Sequence, residues 1–193
     1  LITSPEKNLV QIVSLAIKAG IKMVQYRCKD LPDKEKIIEA KELATLCKKQ
    51  NVLFIINDRI DFLLATDADG IHLGQDDIPL EIARNLIGTD RLIGKSTQDI
   101  NQIQKAAKDG IDYIGIGPVF PSKNKPLKKA IGLDVLIKAS RETNLPCFAI
   151  GGIKISNIDK VLTTGIKRIA IIDAIMKATD PSLETNKLLK KLL

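Results

Sequence analysis

The 193 residues are 45% hydrophobic and 27% charged, proportions of an ordinary globular protein with one substantial core and no apolar run near the ~20 residues that span a bilayer. Cys28, Cys47 and Cys147 are scattered without a CxxC, and there is a single histidine, which argues against a disulfide framework or a zinc site and fits a reducing compartment. The net charge of +7 comes with no Trp and only 3% aromatics, so it suits small anionic substrates better than nucleic acid.

The chain opens without Met on Leu1-Ile2-Thr3, which reads as the tail of a β-strand, so the expectation is a sequence starting partway into its domain, with an upstream region absent. Leu9 to Ala19 carries a helical stripe, Leu9, Ile12, Val13, Ala16 and Ile17, closed by Gly20. Met23 to Tyr26 is a short strand, and Asp33 to Gln50 is a helix with Asp33 as N-cap. Val52 to Ile56 is continuously apolar, as a strand covered on both faces must be. A short helix over Ile60 to Ala65 and a strand over Gly70 to Leu73 follow. Pro79 to Leu86 is a helix with proline early in its first turn. Then come strand Arg91 to Gly94, helix Ile100 to Lys108, strand Tyr113 to Gly117, helix Leu133 to Glu142 and strand Cys147 to Ile150. Helix Ile155 to Thr164, strand Arg168 to Ile172 and a closing helix over Ser182 to Leu193 complete the chain.

Strict alternation of eight strands with eight helices predicts an α/β fold, a (β/α)8 TIM barrel formed as a single domain over residues 1–193 with its first strand truncated. In such a barrel the residues that follow the strands gather at one mouth. Arg27 and Lys29 then place two cations there, suited to phosphate oxygens. Asp58 and Asp77, after neighbouring strands, can hold Mg²⁺; Asp76 competes with Asp77, and an N-cap role for the Ile60 helix competes at Asp58. Gly151-Gly152 and Ile172-Asp173 occupy the usual place for phosphate binding by backbone N–H groups, although the Asp173 carboxylate itself repels phosphate. The loop Ser122-Lys123-Asn124-Lys125 offers a phosphate clamp, and His72, between apolar neighbours, reads as an interior, hydrogen-bonded histidine.

Taken in order, Leu1-Ile2-Thr3, Gln25-Tyr26-Arg27-Cys28-Lys29, Asn57-Asp58-Arg59, Gly70-Ile71-His72-Leu73-Gly74-Gln75-Asp76-Asp77, Gly115-Ile116-Gly117-Pro118-Val119-Phe120 and Ile150-Gly151-Gly152-Ile153 resemble the thiamine phosphate synthases. The resemblance runs from Leu1 to the closing helix and rests on the series, no single piece being diagnostic. It implies a Mg²⁺-dependent transferase that joins 4-amino-2-methyl-5-(diphosphooxymethyl)pyrimidine to 4-methyl-5-(2-phosphooxyethyl)thiazole and releases pyrophosphate. It further implies that Gln25, Tyr26, Arg27, Cys28, Lys29, Asn57, Ser96 and Lys125 bind the pyrimidine diphosphate, with Arg27, Lys29, Ser96 and Lys125 serving catalysis. Ser122, Lys123, Asn124, Gly152, Ile172 and Asp173 would bind the thiazole phosphate, and Asp58 and Asp77 the metal.

Three positions depart from the family pattern. Cys28 stands where an acidic residue is common, Ser122 and Asn124 where two threonines are usual, and Asp173 where the residue is typically neutral. The expected partners are small phosphorylated substrates, with neither membrane nor nucleic acid, and a homo-oligomer is left open. The expected location is cytoplasmic, or stromal in a plastid-bearing source. A related thiazole tautomerase would need a histidine in the stretch Gly94-Lys95-Ser96-Thr97-Gln98, where none occurs. A sugar-phosphate isomerase would need Asp58 and Asp77 as acid and base, whereas nearby cations should keep them ionised. A non-catalytic metabolite-binding barrel is the remaining alternative.

Overall fold

A computed structural model describes residues 1–122 and 129–192. Seven strands, β1 (Met23–Tyr26), β2 (Leu53–Asn57), β3 (Gly70–Leu73), β4 (Leu92–Thr97), β5 (Tyr113–Ile116), β6 (Cys147–Ile150) and β7 (Arg168–Ala170), pair in that order. Every pairing is parallel, as the helical connections require. The helices are α1 (Leu9–Lys18), α2 (Asp33–Lys49), α3 (Ile60–Thr66), α4 (Leu80–Ile87), α5 (Ile100–Lys108), α6 (Asp134–Glu142), α7 (Ile158–Leu162), α8 (Asp173–Met176) and α9 (Pro181–Lys190).

Burial explains the alternation. Phe54, Ile56, Ile71, Leu73, Ile93, Ile114 and Ile116 are essentially inaccessible, as are Leu43, Leu63, Ile103 and Leu136 on the helices. Together they form one continuous apolar layer.

The expected first strand, Leu1 to Thr3, contributes only an isolated bridge from Ile2 to Gln25. Even so it is held on both sides: Thr3 N–H donates to the Gln25 carbonyl at 2.9 Å and Ile2 N–H to the Ile171 carbonyl at 2.9 Å. The sheet therefore curls until residues beside its first and last strands meet the same three-residue segment.

Four expectations about element bounds are corrected. Pro32 rather than Asp33 is the N-cap of α2; Asp33 sits in the first turn, where a carboxylate opposes the helix dipole and here also meets Lys36 and Arg59. Strand β4 runs on to Thr97, which brings Lys95 and Ser96 into the sheet, one on each face. Helix α7 starts only at Ile158 because the Asn157 side chain bonds the Lys154 N–H and the Gly152 carbonyl, holding the preceding residues in a turn. The four-residue α8 lies where the last strand was expected to have only just ended, and β7 stops at Ala170.

Inside the curl, Asn57, His72, Gly94 and Tyr113 stand in register on β2 to β5. The Tyr113 ring crosses directly over Gly94 to reach His72, with ring centroids 5.5 Å apart. A β-carbon on Gly94 would lie 2.1 Å from the Tyr113 Cζ atom. Gly94→Ala is therefore expected to expel that ring and cost about 1–3 kcal/mol, the usual range for overpacking. A thermal melt checks it; at this chain length the loss corresponds to a drop of roughly 2–4 °C per kcal/mol.

Candidate active site

The cavity inside the curl, which reaches the carboxyl ends of the strands, has a volume of about 100 Å³. Gln25, Arg27, Asn57, His72, Ser96, Tyr113, Ser122 and Phe148 contribute to its walls. The alternation of a strand decides which residues of each motif reach it. In Gln25-Tyr26-Arg27-Cys28, the odd-numbered side chains line the cavity. Tyr26 points the other way, its hydroxyl donating to Glu39 on α2 at 2.8 Å, and the Cys28 thiol lies beside that hydroxyl. The side chains of Tyr26 and Cys28 are thus not brought to the cavity with the others. Likewise Ser96 faces in, while Lys95 reaches out to the Gly74 carbonyl at 2.7 Å, and burial pulls its ammonium below the ordinary lysine range.

Arg27 is tied down through its backbone. The Thr3 hydroxyl accepts from its N–H at 2.9 Å and donates to its carbonyl at 3.2 Å, and Thr3 is fully buried. Among the described residues its guanidinium forms no ion pair, so its charge is available to the cavity. Arg59, the third residue of its motif, is spent elsewhere: it pairs with Asp33 and Asp61 and stacks on Phe62 at 4.2 Å.

Asp58 and Asp77 come together. Their carboxyl groups lie close enough to act on each other, with Lys29 and Asn57 also close enough to act on Asp58. Asp58 does not cap α3, whose N-cap is Arg59. It instead adopts a left-handed backbone, φ +64°, donating its N–H to the His72 carbonyl at 2.9 Å. Asp77 accepts the Gly74 N–H, whereas Asp76 is exposed and does not join the pair. Burial, and next the Asp77 carboxylate, push Asp58 up to about 6. The expected hold of nearby cations on this carboxyl is present in Lys29 but is outweighed.

A second cavity, about 330 Å³, adjoins the first and shares Ser122, Ile150, Gly151, Ala170 and Ile172 with it. Gly152, Lys154 and Asp173 line it as well. Gly151 and Gly152 have φ of +101° and +65°, and a β-carbon on either would collide with Pro118 or with the Pro121 carbonyl, so only glycine permits this corner. Asp173 opens α8 and carries a buried Oδ1 that, among the described residues, has no hydrogen-bond partner, with Lys177 Nζ 3.8 Å away. Lys123, Asn124 and Lys125 lie outside the described residues.

Sequence reasoning placed His72 correctly in the interior, 8% exposed, but missed its neighbours Tyr113 and Phe148 as cavity walls. Isolated aromatics on apolar strands look like core; only the glycines opposite them, Gly94 and Gly115, hinted that rings cross the interior.

The arrangement can bind a polyanion beside a divalent cation. Comparison with known proteins agrees. The family model described as thiamine monophosphate synthase matches residues 1–175. A thiamine-phosphate synthase of Prochlorococcus marinus is 53% identical over 100% of this chain and 56% of that protein. One from Thermosynechococcus vestitus is 44% identical over 100% of this chain and 55% of its own length. This chain thus spans about half the length of the curated relatives it matches. The solved thiamine phosphate pyrophosphorylase of Pyrococcus furiosus superposes with a TM-score of 0.91 at 36% identity, covering 99% of this chain and 93% of that one. A 3-hexulose-6-phosphate synthase, 13% identical with a TM-score of 0.67, shares the fold alone. With the carboxylate pair, the cationic rim and these matches in hand, the chain belongs to the thiamine monophosphate synthase family.

Proposed function

We propose that this chain makes thiamine phosphate from 4-amino-2-methyl-5-(diphosphooxymethyl)pyrimidine and 4-methyl-5-(2-phosphooxyethyl)thiazole, releasing pyrophosphate. Family membership supports this, and the single observation that carries it is the meeting of Asp58 and Asp77 beside Lys29 on the rim that also bears Arg27. The pair is an all-oxygen donor set, and among the described residues no cluster of three or more His, Cys, Asp or Glu stands together. That fits Mg²⁺, which takes one or two carboxylates and completes its shell with water and phosphate oxygens. Two neighbouring carboxyl groups also disfavour carrying both negative charges unless a proton or a cation joins them. We propose further that Leu1 to Thr3 supply the eighth stave of a (β/α)8 barrel over residues 1–193, a reading supported by their bonds to Gln25 and Ile171.

In this reading Arg27 and Lys29 hold the diphosphate, Gln25, Asn57 and Ser96 orient the pyrimidine end, and Gly152 and Ile172 receive the thiazole phosphate. By the family resemblance Lys125 serves the diphosphate, and Ser122, Lys123 and Asn124 the thiazole phosphate. Bound Mg²⁺ supplies charge stabilisation to the leaving diphosphate. The carbon–oxygen bond breaks with its electron pair leaving on the diphosphate, and the thiazole nitrogen lone pair makes the new carbon–nitrogen bond. That nitrogen has no proton to lose, so the chain's one histidine need not act as a base. The chain's own cations act on charge that develops only as the bond breaks, which is where electrostatic stabilisation raises the rate.

The test is direct: purified protein with both substrates, with and without Mg²⁺, and thiamine phosphate measured by chromatography. Product only with Mg²⁺ is the expected result; none under any condition overturns the reading.

Asp173 lines the thiazole cavity with a carboxylate where the ligand would bring a phosphate. Asp173→Asn keeps the shape and removes the like charge. It is expected to lower the KM for the thiazole phosphate by roughly fivefold, about 1 kcal/mol, the scale of one partly solvated charge pair. The KM for the pyrimidine diphosphate should not move.

A further inference from the structure

The cavity's inner wall contains a polar chain, Tyr113, His72 and Ser96, whose members the fold spaces at hydrogen-bond distance. The Gln25 side chain lies beside the Tyr113 hydroxyl. That hydroxyl lies 3.2 Å from His72 Nδ1, and His72 Nε2 lies 3.0 Å from Ser96 Oγ. All four residues line the cavity, and Gln25, His72 and Tyr113 are buried, at 7%, 8% and 5% exposure. The architecture keeps the chain in line: Gly94 lets the tyrosine ring cross its strand, Gly115 leaves room for the imidazole, and Phe148 meets the tyrosine edge-on at 5.5 Å.

We propose that Tyr113 and His72 form a hydrogen-bond relay that aims the Ser96 hydroxyl proton at an acceptor atom of the bound substrate, with Tyr113 and His72 as positioning residues. Two polarities satisfy such a chain, and in the proposed one the phenol is the donor. The phenol has one proton, which then goes to His72 Nδ1. A neutral imidazole that accepts at Nδ1 carries its proton on Nε2, and Nε2–H donates to Ser96 Oγ. The serine proton is left to point into the cavity. Reversing the whole chain would instead spend the Ser96 proton on His72 Nε2 and leave none for the cavity, so the tautomer reports which polarity the protein holds.

The inference rests on the synthase reading only for the identity of the acceptor, an oxygen or ring nitrogen of the pyrimidine diphosphate. The relay itself is testable without turnover, because the chain has a single histidine. In ¹⁵N-histidine-labelled protein, two-bond ¹H–¹⁵N correlation at neutral pH should show one neutral imidazole protonated on Nε2. A spectrum of the Nδ1–H tautomer, or of imidazolium, overturns the relay. Addition of Mg²⁺ with inorganic pyrophosphate, or separately of the unphosphorylated pyrimidine alcohol, should shift the Nε2 resonance in one arm, identifying the acceptor as phosphate oxygen or ring nitrogen; no shift in either arm overturns the link to substrate.

Tyr113→Phe should give mixed tautomers and lower kcat about tenfold, the worth of one hydrogen bond, with KM little changed. In a Ser96→Ala background the same change should have no further effect. An additive loss there would mean that Tyr113 acts on packing and not through Ser96. If Tyr113→Phe does not fold, the wild-type tautomer still decides. A protein with the expected tautomer that makes no thiamine phosphate would sink the synthase reading and leave the relay standing.

Discussion

Asp77→Ala should lower Mg²⁺-dependent turnover by about 100-fold or more, because a metal that neutralises a leaving diphosphate is worth several kcal/mol to the transition state. The fold should survive: Asp77 is half-buried, and the one bond it gives up to the backbone is from Gly74 on its own loop. Losing it also frees Asp58 of its like-charged neighbour. A thermal shift with MgCl₂ alone separates ligand loss from damage. Wild type should gain stability with Mg²⁺ and the variant should not, while the metal-free variant melts at or above wild type.

The pH dependence supplies a second check. The folded Asp58 carboxyl is raised from 3.8 to about 6. The favourable contribution of its protonated form is therefore complete below pH 3.8 and is lost as pH rises through about 6. Mg²⁺ needs the ionised form, so its thermal shift should fade as pH falls through that same region. A Mg²⁺ shift undiminished at pH 5 would remove Asp58 from the metal site.

Arg27→Ala is expected to reduce kcat/KM for the pyrimidine diphosphate by about 100-fold, since charge-assisted bonds to phosphate contribute about 1.5–3 kcal/mol each. The prediction is sharpened by how the residue is held. Thr3 grips the Arg27 peptide from both sides, so the strand end stays in place when the side chain goes. Arg27→Lys keeps the charge without the planar fork and should recover only part of the loss. Calorimetry with pyrophosphate and Mg²⁺ reads the binding component directly; unchanged affinity in Arg27→Ala would place the diphosphate elsewhere.

Much of the fold was written in local pattern. Phe54 to Ile56 could only be a strand covered on both sides, and the stripe from Leu9 to Ile17 could only be an amphipathic helix. Where pattern was short, tertiary contacts decided. Ile155 looks helical in sequence, yet the Asn157 side chain claims the backbone groups that a helix there would use.

At the site, motifs located the rim but did not say which side chain faces which way. Arg27 and Cys28 are adjacent letters on opposite faces, and so are Ser96 and Lys95. Asp76 and Asp77 could be told apart only by the loop that turns Asp77 toward Asp58. Tyr113 was illegible for a different reason: its role depends on Gly94, on the neighbouring strand, being small enough to let the ring pass.

The left-handed backbone at Asp58, φ +64°, restricts this corner's chemical vocabulary. Of the oxygen-bearing side chains, only aspartate and asparagine settle readily in that conformation, while glutamate would cost about 1–2 kcal/mol before any ion arrived. Adaptation to a larger cation, by selection or in the laboratory, should therefore lengthen the side chain at position 77 and leave position 58 alone.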